Sequence, residues 1–267
     1  MDRAGTELGA ILREMRAVTV AVSGGVDSLT LAVQAHRLLG ARATLAHAVS
    51  PAVPPEATER VRELAAREGW RLLVFDAGEF ADPNYLGNPV DRCFFCKGHL
   101  YDAIAARTDS QIVSGTNTDD LGEYRPGLVA ARKHGVRHPY VEAGMDKRAV
   151  RRLAAELGLG SISSLPASPC LSSRVETAIP IETDVLAAIH AVERLVASAL
   201  DPRTVRCRVR SAGIVIELDG EALQRTDQCV RDALAGKIRP LLPARLAGQP
   251  VGFTAYRTGS AFVGAPA

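Results

Sequence analysis

Three short stretches carry residue types from which chemistry could be built. In the first, Ser23-Gly24-Gly25-Val26-Asp27-Ser28, two glycines stand between hydroxyls and a carboxylate. A Gly-rich turn between a buried strand and a helix can wrap phosphates, because its backbone N–H groups point inward and the helix N-terminus adds a favourable dipole. Glycines permit close backbone approach, Ser23 and Ser28 offer hydroxyls to phosphate oxygens, and Asp27 is suited to helping hold Mg2+. No Gly-Lys-Ser/Thr follows, and no Gly-x-Gly-x-x-Gly fingerprint is present, so neither a Walker loop nor a dinucleotide site is written here. The bland alternative is a tight turn without a ligand.

The second stretch, Asp91-Arg92-Cys93-Phe94-Phe95-Cys96-Lys97, sets two thiols at ligand spacing on a loop where a helix begins and thiolates are stabilised. The third, Pro169-Cys170-Leu171-Ser172-Ser173-Arg174, adds another thiol, with Arg174 placed to hold a substrate near its sulfur. A closed zinc site would need a fourth ligand from Cys207, Cys229 or a histidine. An iron-sulfur cluster on Cys93, Cys96 and Cys170 would leave one iron open to an extra sulfide. Cys207 and Cys229 read as structural, one in a strand and one on a helix. Arg206 and Arg208 alternate along a strand, so both face one side and could clamp a phosphate, with a solvated strand face as the alternative. The six histidines, His36, His47, His99, His134, His138 and His190, show no metal-ligand pair on a shared helix and read as structural or exposed.

The elements that must position these groups follow from periodicity. Val18 to Val22 reads as a strand entering the glycine turn, and Leu29 to Leu39 as the helix leaving it. Strands are expected at Thr44 to Ala48, Arg71 to Phe75 and Gln111 to Ser114, with helices over Glu56 to Glu68 and Lys97 to Arg107. Ala77 to Pro89 is expected as a loop. Such alternation predicts an α/β fold, a doubly wound parallel sheet with helices on both faces. Thr116 and Asn117 then end a strand at the sheet's carboxyl edge, where open α/β sheets bind ligands, and Asp119 and Asp120 either position magnesium or cap a helix. Asp146 caps a helix running to Leu157. Gly158 to Pro180 holds three prolines and six serines without periodicity and reads as a functional loop or linker. A small C-terminal α+β domain follows, with helices at Glu182 to Leu200 and Glu221 to Ala235 and strands at Thr204 to Val209, Ile214 to Leu218 and Val251 to Tyr256. The expected division is thus 1–170, a linker over 158–180, and 180–267.

Bulk properties bound the partners. A chain of 267 residues buries about three quarters of its unfolded surface, enough for a core without disulfides. With 32 basic and 30 acidic residues it carries no electrostatic footprint for nucleic acid, and no apolar run is long enough to span a bilayer. Met1 to Arg16 reads as a charged amphipathic helix rather than a signal peptide, which with five cysteines predicts a reducing cytoplasm. A homo-oligomer is expected.

Ser23 to Ser28 resembles the PP-loop of ATP pyrophosphatases, which split ATP into AMP and pyrophosphate while adenylating a substrate. Lys147, Val150, Arg151, Ala154, Leu157 and Gly158 are similar to a helix shared by many of them. Asn88-Pro89-Val90-Asp91-Arg92-Cys93-Phe94-Phe95-Cys96-Lys97, Ser114-Gly115-Thr116-Asn117-Thr118-Asp119-Asp120-Leu121-Gly122-Glu123-Tyr124-Arg125-Pro126-Gly127, Cys170-Leu171-Ser172-Ser173-Arg174 and Tyr256-Arg257-Thr258-Gly259-Ser260 together resemble the LarE family. That resemblance implies a PP-loop domain that uses MgATP to adenylate the carboxylates of pyridinium-3,5-biscarboxylic acid mononucleotide. Sulfur then converts them to thiocarboxylates for the nickel-pincer cofactor of lactate racemase. Ser23, Gly24, Gly25, Asp27, Ser28, Thr116, Asn117 and Asp120 would bind the nucleotide, and Arg174, Arg206 and Arg208 the substrate. Members with three cysteines imply a [4Fe-4S] cluster, here on Cys93, Cys96 and Cys170, with Cys170 at the centre of catalysis. Members with only the cysteine matching Cys170 imply sacrificial donation of its sulfur. A PP-loop tRNA thiolase, an ammonia-dependent amide synthetase and a nucleotide-binding or zinc-stabilised regulatory module are the competing readings.

Overall fold

Strand β1 (Val18–Ala21) is buried along its whole length and pairs in parallel with β2 (Ala43–Ala48) on one side and β4 (Gln111–Ser114) on the other. Strand β3 (Arg71–Phe75) joins beyond β2, giving a four-stranded parallel sheet of order β3-β2-β1-β4. The computed structural model describes residues 3–122, 125–167 and 169–264. Met1 and Asp2 of the expected N-terminal helix, the family-matching Glu123 and Tyr124, and Ser168 of the serine-rich loop lie outside them.

Side-chain alternation on the central strands explains the layers. Val18 and Val20 of β1 and Leu45 of β2 enter one core with helices α1 (Arg3–Glu14), α2 (Val26–Leu39) and α3 (Pro55–Glu68). Ala21 and Ala46, one residue out of phase, enter a second core on the opposite face. Parallel strands need crossovers, and right-handed ones put the helices of a sheet that winds both ways on both faces. Gly69 ends α3 in the left-handed region at φ +69°, as its place in the sequence predicts.

After β3 the chain makes a short helix, α4 (Pro83–Leu86), where a loop is expected, and then α5 (Arg92–Ala105). The expected start at Lys97 is too late. Nothing between Asp91 and Lys97 breaks a helix, so α5 extends back over both cysteines. Past β4 come α6 (Pro126–Lys133), α7 (Pro139–Glu142) and α8 (Lys147–Glu156). α5 and α6 pack together on the second face, where Tyr101, Ile104, Ala131 and Val136 are buried with the sheet.

Within the described residues the chain forms two compact units, one of 3–81 and 91–167 and the other of 82–90 and 169–264. The second unit therefore borrows a segment from between β3 and α5. Asn88, fully buried at φ +53°, donates its Nδ2 to the carbonyls of Glu176 (2.9 Å) and Ile179 (2.8 Å) and so staples that segment to the later chain. Helix α9 (Thr183–Leu200) lies on β5 (Val205–Arg210), which pairs antiparallel with β6 (Gly213–Leu218), and β7 (Val251–Ala255) adds parallel to β6. The single helix expected over Glu221 to Ala235 is two, α10 (Gly220–Gln224) and α11 (Gln228–Ile238), followed by α12 (Ala244–Ala247). Asp219 caps the first and Asp227 the second through the N–H groups of Ala222 and Val230, and the Thr226 hydroxyl donates to the carbonyl of Ala222 at 2.6 Å.

Candidate active site

Order β3-β2-β1-β4 reverses its winding between β1 and β4, and the crevice at the carboxyl ends of such a strand pair is where open α/β sheets bind ligands. The turn after β1 and the turn after β4 meet there. Gly24 takes φ +83°, and a Cβ on it would lie 2.6 Å from the carbonyl oxygen of Ala57 in α3, so only glycine fits. Gly115 answers from the other strand: a Cβ there would lie 2.9 Å from the backbone N of Ser28. Gly24 thus lets the first turn lie against α3, and Gly115 lets the second turn lie against the backbone of Asp27 and Ser28.

Within the first turn, Ser28 Oγ accepts from the N–H of Ser23 at 3.0 Å, donates to the carbonyl of Gly25 at 3.1 Å and lies 3.1 Å from Ser23 Oγ. Ser28 is buried while Ser23 is exposed, so Ser28 shapes the loop and Ser23 presents its hydroxyl outward. Helix α2 begins at Val26 with no side chain capping its first turn, which leaves the dipole end of a fourteen-residue helix to a ligand.

Asp27 joins groups from three elements in the crevice. Its carboxylate pairs with the Lys147 ammonium and accepts from Asn117 Nδ2 at 3.3 Å, while its backbone carbonyl accepts from the Tyr140 hydroxyl at 3.0 Å. Burial, and then the nearby Asp27 charge, push the Tyr140 phenol well above its ordinary range, so it stays a donor. Lys147 is the first residue of α8, which Asp146 caps by accepting from the N–H of Ala149 at 2.7 Å. Sequence reasoning saw Lys147 only as part of a helical pattern and not as a site residue. The spacing from Asp27 carries no signal, because only the folded sheet brings α8 to the loop.

The turn after β4 is held from within. Asp120 accepts from the N–H of Asn117 at 3.0 Å and pairs with Arg125 at 2.8 Å, and Asp119 accepts from the N–H of Lys147 at 3.2 Å. Both carboxylates are thus engaged in fixing backbone and neighbours. Thr116 Oγ1 lies 3.1 Å from Ser114 Oγ, which in turn meets His138 Nδ1 at 2.9 Å. His47, at the end of β2, is buried between the carbonyl of Val22 (2.8 Å from Nδ1) and Thr58 Oγ1 (2.9 Å from Nε2). A carbonyl only accepts, so Nδ1 carries the proton and neutral His47 takes Thr58 as donor at Nε2. Burial lowers the pKa of both His47 and His138.

Cys93 and Cys96 lie in the first turns of α5 at i and i+3, on one face of the helix and half-buried. Gly127 at the start of α6 fits against this turn, since a Cβ there would lie 3.6 Å from the carbonyl of Cys93 and 3.0 Å from Lys97 Cγ. This pair has the donor chemistry and spacing of two corners of a metal or cluster site. Among the described residues no three His, Cys, Asp or Glu side chains gather around one point. Cys170 is exposed in the second unit. Cys207 is fully buried in β5, and burial pushes its thiol far up, which disfavours the thiolate a zinc site would need. Cys229 is exposed on α11 rather than packed as expected.

The three candidate arginines, all in the second unit, have different surroundings. Arg174, 2% exposed, forks onto Glu193 (2.9 and 3.1 Å) and donates to the carbonyls of Pro169 and Cys170 (2.5 and 3.1 Å). Its guanidinium grips the turn that carries Cys170. Arg208 is buried on Glu217 at 2.8 Å and donates to the carbonyl of Ser173 at 2.9 Å, and Glu217 also accepts from Arg210 and Ser260. Arg206 is half-buried, with its guanidinium over the Tyr256 ring at 5.7 Å, and burial followed by the charge of Arg174 lowers its pKa. The row is neither a solvated strand face nor an evenly exposed clamp: Arg208 is buried, while Arg206 is half-buried.

No family model matches the chain. Among curated proteins it is 36% identical over 229 residues to an uncharacterized protein of Synechocystis sp., covering 84% of each chain. It is 32% identical over 216 residues to the pyridinium-3,5-bisthiocarboxylic acid mononucleotide synthase of Lactiplantibacillus plantarum, covering 79% of this chain and 78% of that one. An uncharacterized Methanocaldococcus jannaschii protein is 24% identical over 208 residues.

Proposed function

The chain belongs to the LarE family, and from that premise we propose that it is an ATP-dependent sulfurtransferase acting on pyridinium-3,5-biscarboxylic acid mononucleotide. The observation that carries the proposal is the crevice where the Ser23–Ser28 turn, Asn117 and Lys147 converge on Asp27 at the winding reversal of the sheet.

In this reading the loop N–H groups and the uncapped start of α2 receive the phosphates of ATP, with Thr116 and Asn117 closing the crevice from β4. Mg2+ fits the hard oxygens of Asp27 and phosphate, and when bound it offsets phosphate charge. Lys147 supplies positive charge where negative charge grows as pyrophosphate departs. A substrate carboxylate attacks the α-phosphorus, the bond to the bridging oxygen breaks, and an acyl-adenylate and pyrophosphate result. Adenylation has turned a poor leaving group into a good one, so a sulfur nucleophile can then attack the acyl carbon and AMP leaves. Arg206 is the fork offered to the substrate phosphate. Arg174 and Arg208, buried on carboxylates, position the Cys170 turn and the strand rather than meet the substrate directly.

For the sulfur source the proposal is a [4Fe-4S] cluster on Cys93, Cys96 and Cys170. Such a cluster, when bound, supplies an iron without a protein thiolate to carry the sulfide. The helical pairing of Cys93 and Cys96 supports this over sacrifice of Cys170, which gives that pair no task. Anaerobic absorption with iron and zinc assays on wild type and Cys93→Ala tests it: iron that disappears in the variant is expected. Loss of the elements of hydrogen sulfide from the intact mass after turnover would defeat the cluster route.

The proposal extends to a cytoplasmic homo-oligomer in which 1–170 forms the PP-loop domain and 180–267 a substrate or oligomerisation domain. A near-neutral charge balance favours this substrate over tRNA. Among the described residues no helix is long and apolar enough to cross a membrane.

A further inference from the structure

The back of the phosphate loop is gripped at alternate carbonyls. Val22 C=O accepts from His47 Nδ1 at 2.8 Å, and Gly24 C=O accepts from Arg60 Nε at 3.1 Å. Both donors reach the loop from behind, His47 from the end of β2 and Arg60 from α3. The first turn of α3 lies so close that a Cβ on Gly24 would be 2.9 Å from Ala57 Cβ. Among the described residues no peptide bond is cis, so in each peptide unit the N–H points opposite to the C=O. With the Val22 carbonyl drawn to His47, the Ser23 N–H points the other way, and it meets Ser28 Oγ. With the Gly24 carbonyl drawn to Arg60, the Gly25 N–H is turned away from α3. Its sole described neighbour is Ser23 Oγ at 3.5 Å, too long for a strong bond.

We propose that Arg60 is a positioning residue for the ATP phosphates: it acts through the Gly24–Gly25 peptide, orienting its N–H toward the ligand and strengthening it as a donor. A guanidinium on the carbonyl of a peptide withdraws electron density from that amide, and hydrogen bonds in series polarise one another. His47, neutral with Nδ1 protonated, holds the Val22–Ser23 peptide without charge. Together they fix two alternate peptide planes, on either side of the Ser23–Gly24 peptide, in a glycine segment with wide conformational freedom of its own. This inference rests on the nucleotide-binding reading and adds to it a residue outside the Ser23–Ser28 motif.

The test measures dissociation constants of the magnesium complex of α,β-methylene-ATP, and of adenosine, on the full chain by calorimetry. Wild type, Arg60→Ala, Arg60→Lys and Arg60→Gln are compared, with melting temperatures as a folding control. Arg60→Ala is expected to weaken the triphosphate analogue by about 5- to 20-fold while leaving adenosine binding unchanged. Arg60→Lys, which keeps the charge, recovers most of the loss, and Arg60→Gln, an uncharged donor, falls between. If Arg60→Ala does not fold, the Lys and Gln variants still rank charge against mere hydrogen bonding. Unchanged analogue binding in Arg60→Ala, adenosine weakened as much as the analogue, or a Gln variant equal to wild type would each overturn the proposal. Wild type that binds neither ligand would instead refute the nucleotide-binding reading itself.

Discussion

Asp27 holds together groups from three separate elements, and its substitution is the sharpest probe at the scale of single residues. Asp27→Asn keeps a side chain of the same shape that accepts from Asn117 but loses the charge facing Lys147, which is also the charge proposed to help hold Mg2+. Pyrophosphate exchange into ATP should fall by about 100-fold or more, since removal of one preorganised electrostatic group costs 10²–10³. Exchange within a few-fold of wild type would remove Asp27 from the chemistry. Gly24→Ala should abolish nucleotide binding by another route, because its Cβ meets backbone at 2.6 Å in a left-handed conformation. Equilibrium titration with the ATP analogue checks that outcome. The Ser23–Ser28 turn was legible because its residue types are contiguous and chemically specific. Lys147, Tyr140, His47 and Arg60 were not, since none lies near the loop in sequence and each is a residue type with many ordinary uses.

At the scale of elements, α8 must place Lys147 at its first position, and its N-cap decides how firmly. Asp146→Ala removes the bond to the Ala149 N–H and should lower stability by about 1 kcal/mol in urea titrations. Because Lys147 follows the cap directly, the KM for ATP should rise as well, whereas an unchanged KM would separate α8 from the nucleotide site. All four parallel strands were readable from apolar runs of four to six residues bounded by turn formers, with β3 and β4 at the expected residues. Helix boundaries were less so. The start of α5 was placed too late because Arg92-Cys93-Phe94-Phe95 has no helical periodicity of its own, and packing against α6 overrides weak local preference. The break between α10 and α11 was missed since Thr226 and Asp227 act through caps, which a hydrophobic pattern does not register.

The molecule as a whole keeps buried charge in both units, and this governs how it responds to pH and truncation. Burial lowers the pKa of His47 below its ordinary value of 6.5, so the unfolded chain takes up that proton first. This contribution to stability is complete above pH 6.5 and is lost as the pH falls toward the folded pKa, and His138 acts in the same direction. Melting temperatures should therefore decline from pH 7 to pH 5, less steeply in His47→Asn, and an equal decline would contradict the assignment. In the second unit Glu217, 1% exposed, accepts from Arg208, Arg210 and Ser260. Glu217→Ala strands the Arg208 charge and should cost about 3–5 kcal/mol in denaturant titrations. Alternation along β5 leaves Arg206 and Arg208 open to either a phosphate clamp or a solvated strand face, and which arginines pair with carboxylates depends on strand register, which periodicity does not show. If the crevice activates a carboxylate with ATP, pyrophosphate is released from MgATP when pyridinium-3,5-biscarboxylic acid mononucleotide is added, and assaying that release tests the reading at its root. Pyrophosphate and AMP are expected in equal amounts with this compound, with none for tRNA or ammonia and none in Asp27→Ala. Wild type that releases none, or an Asp27→Ala variant that releases as much, would contradict that reading.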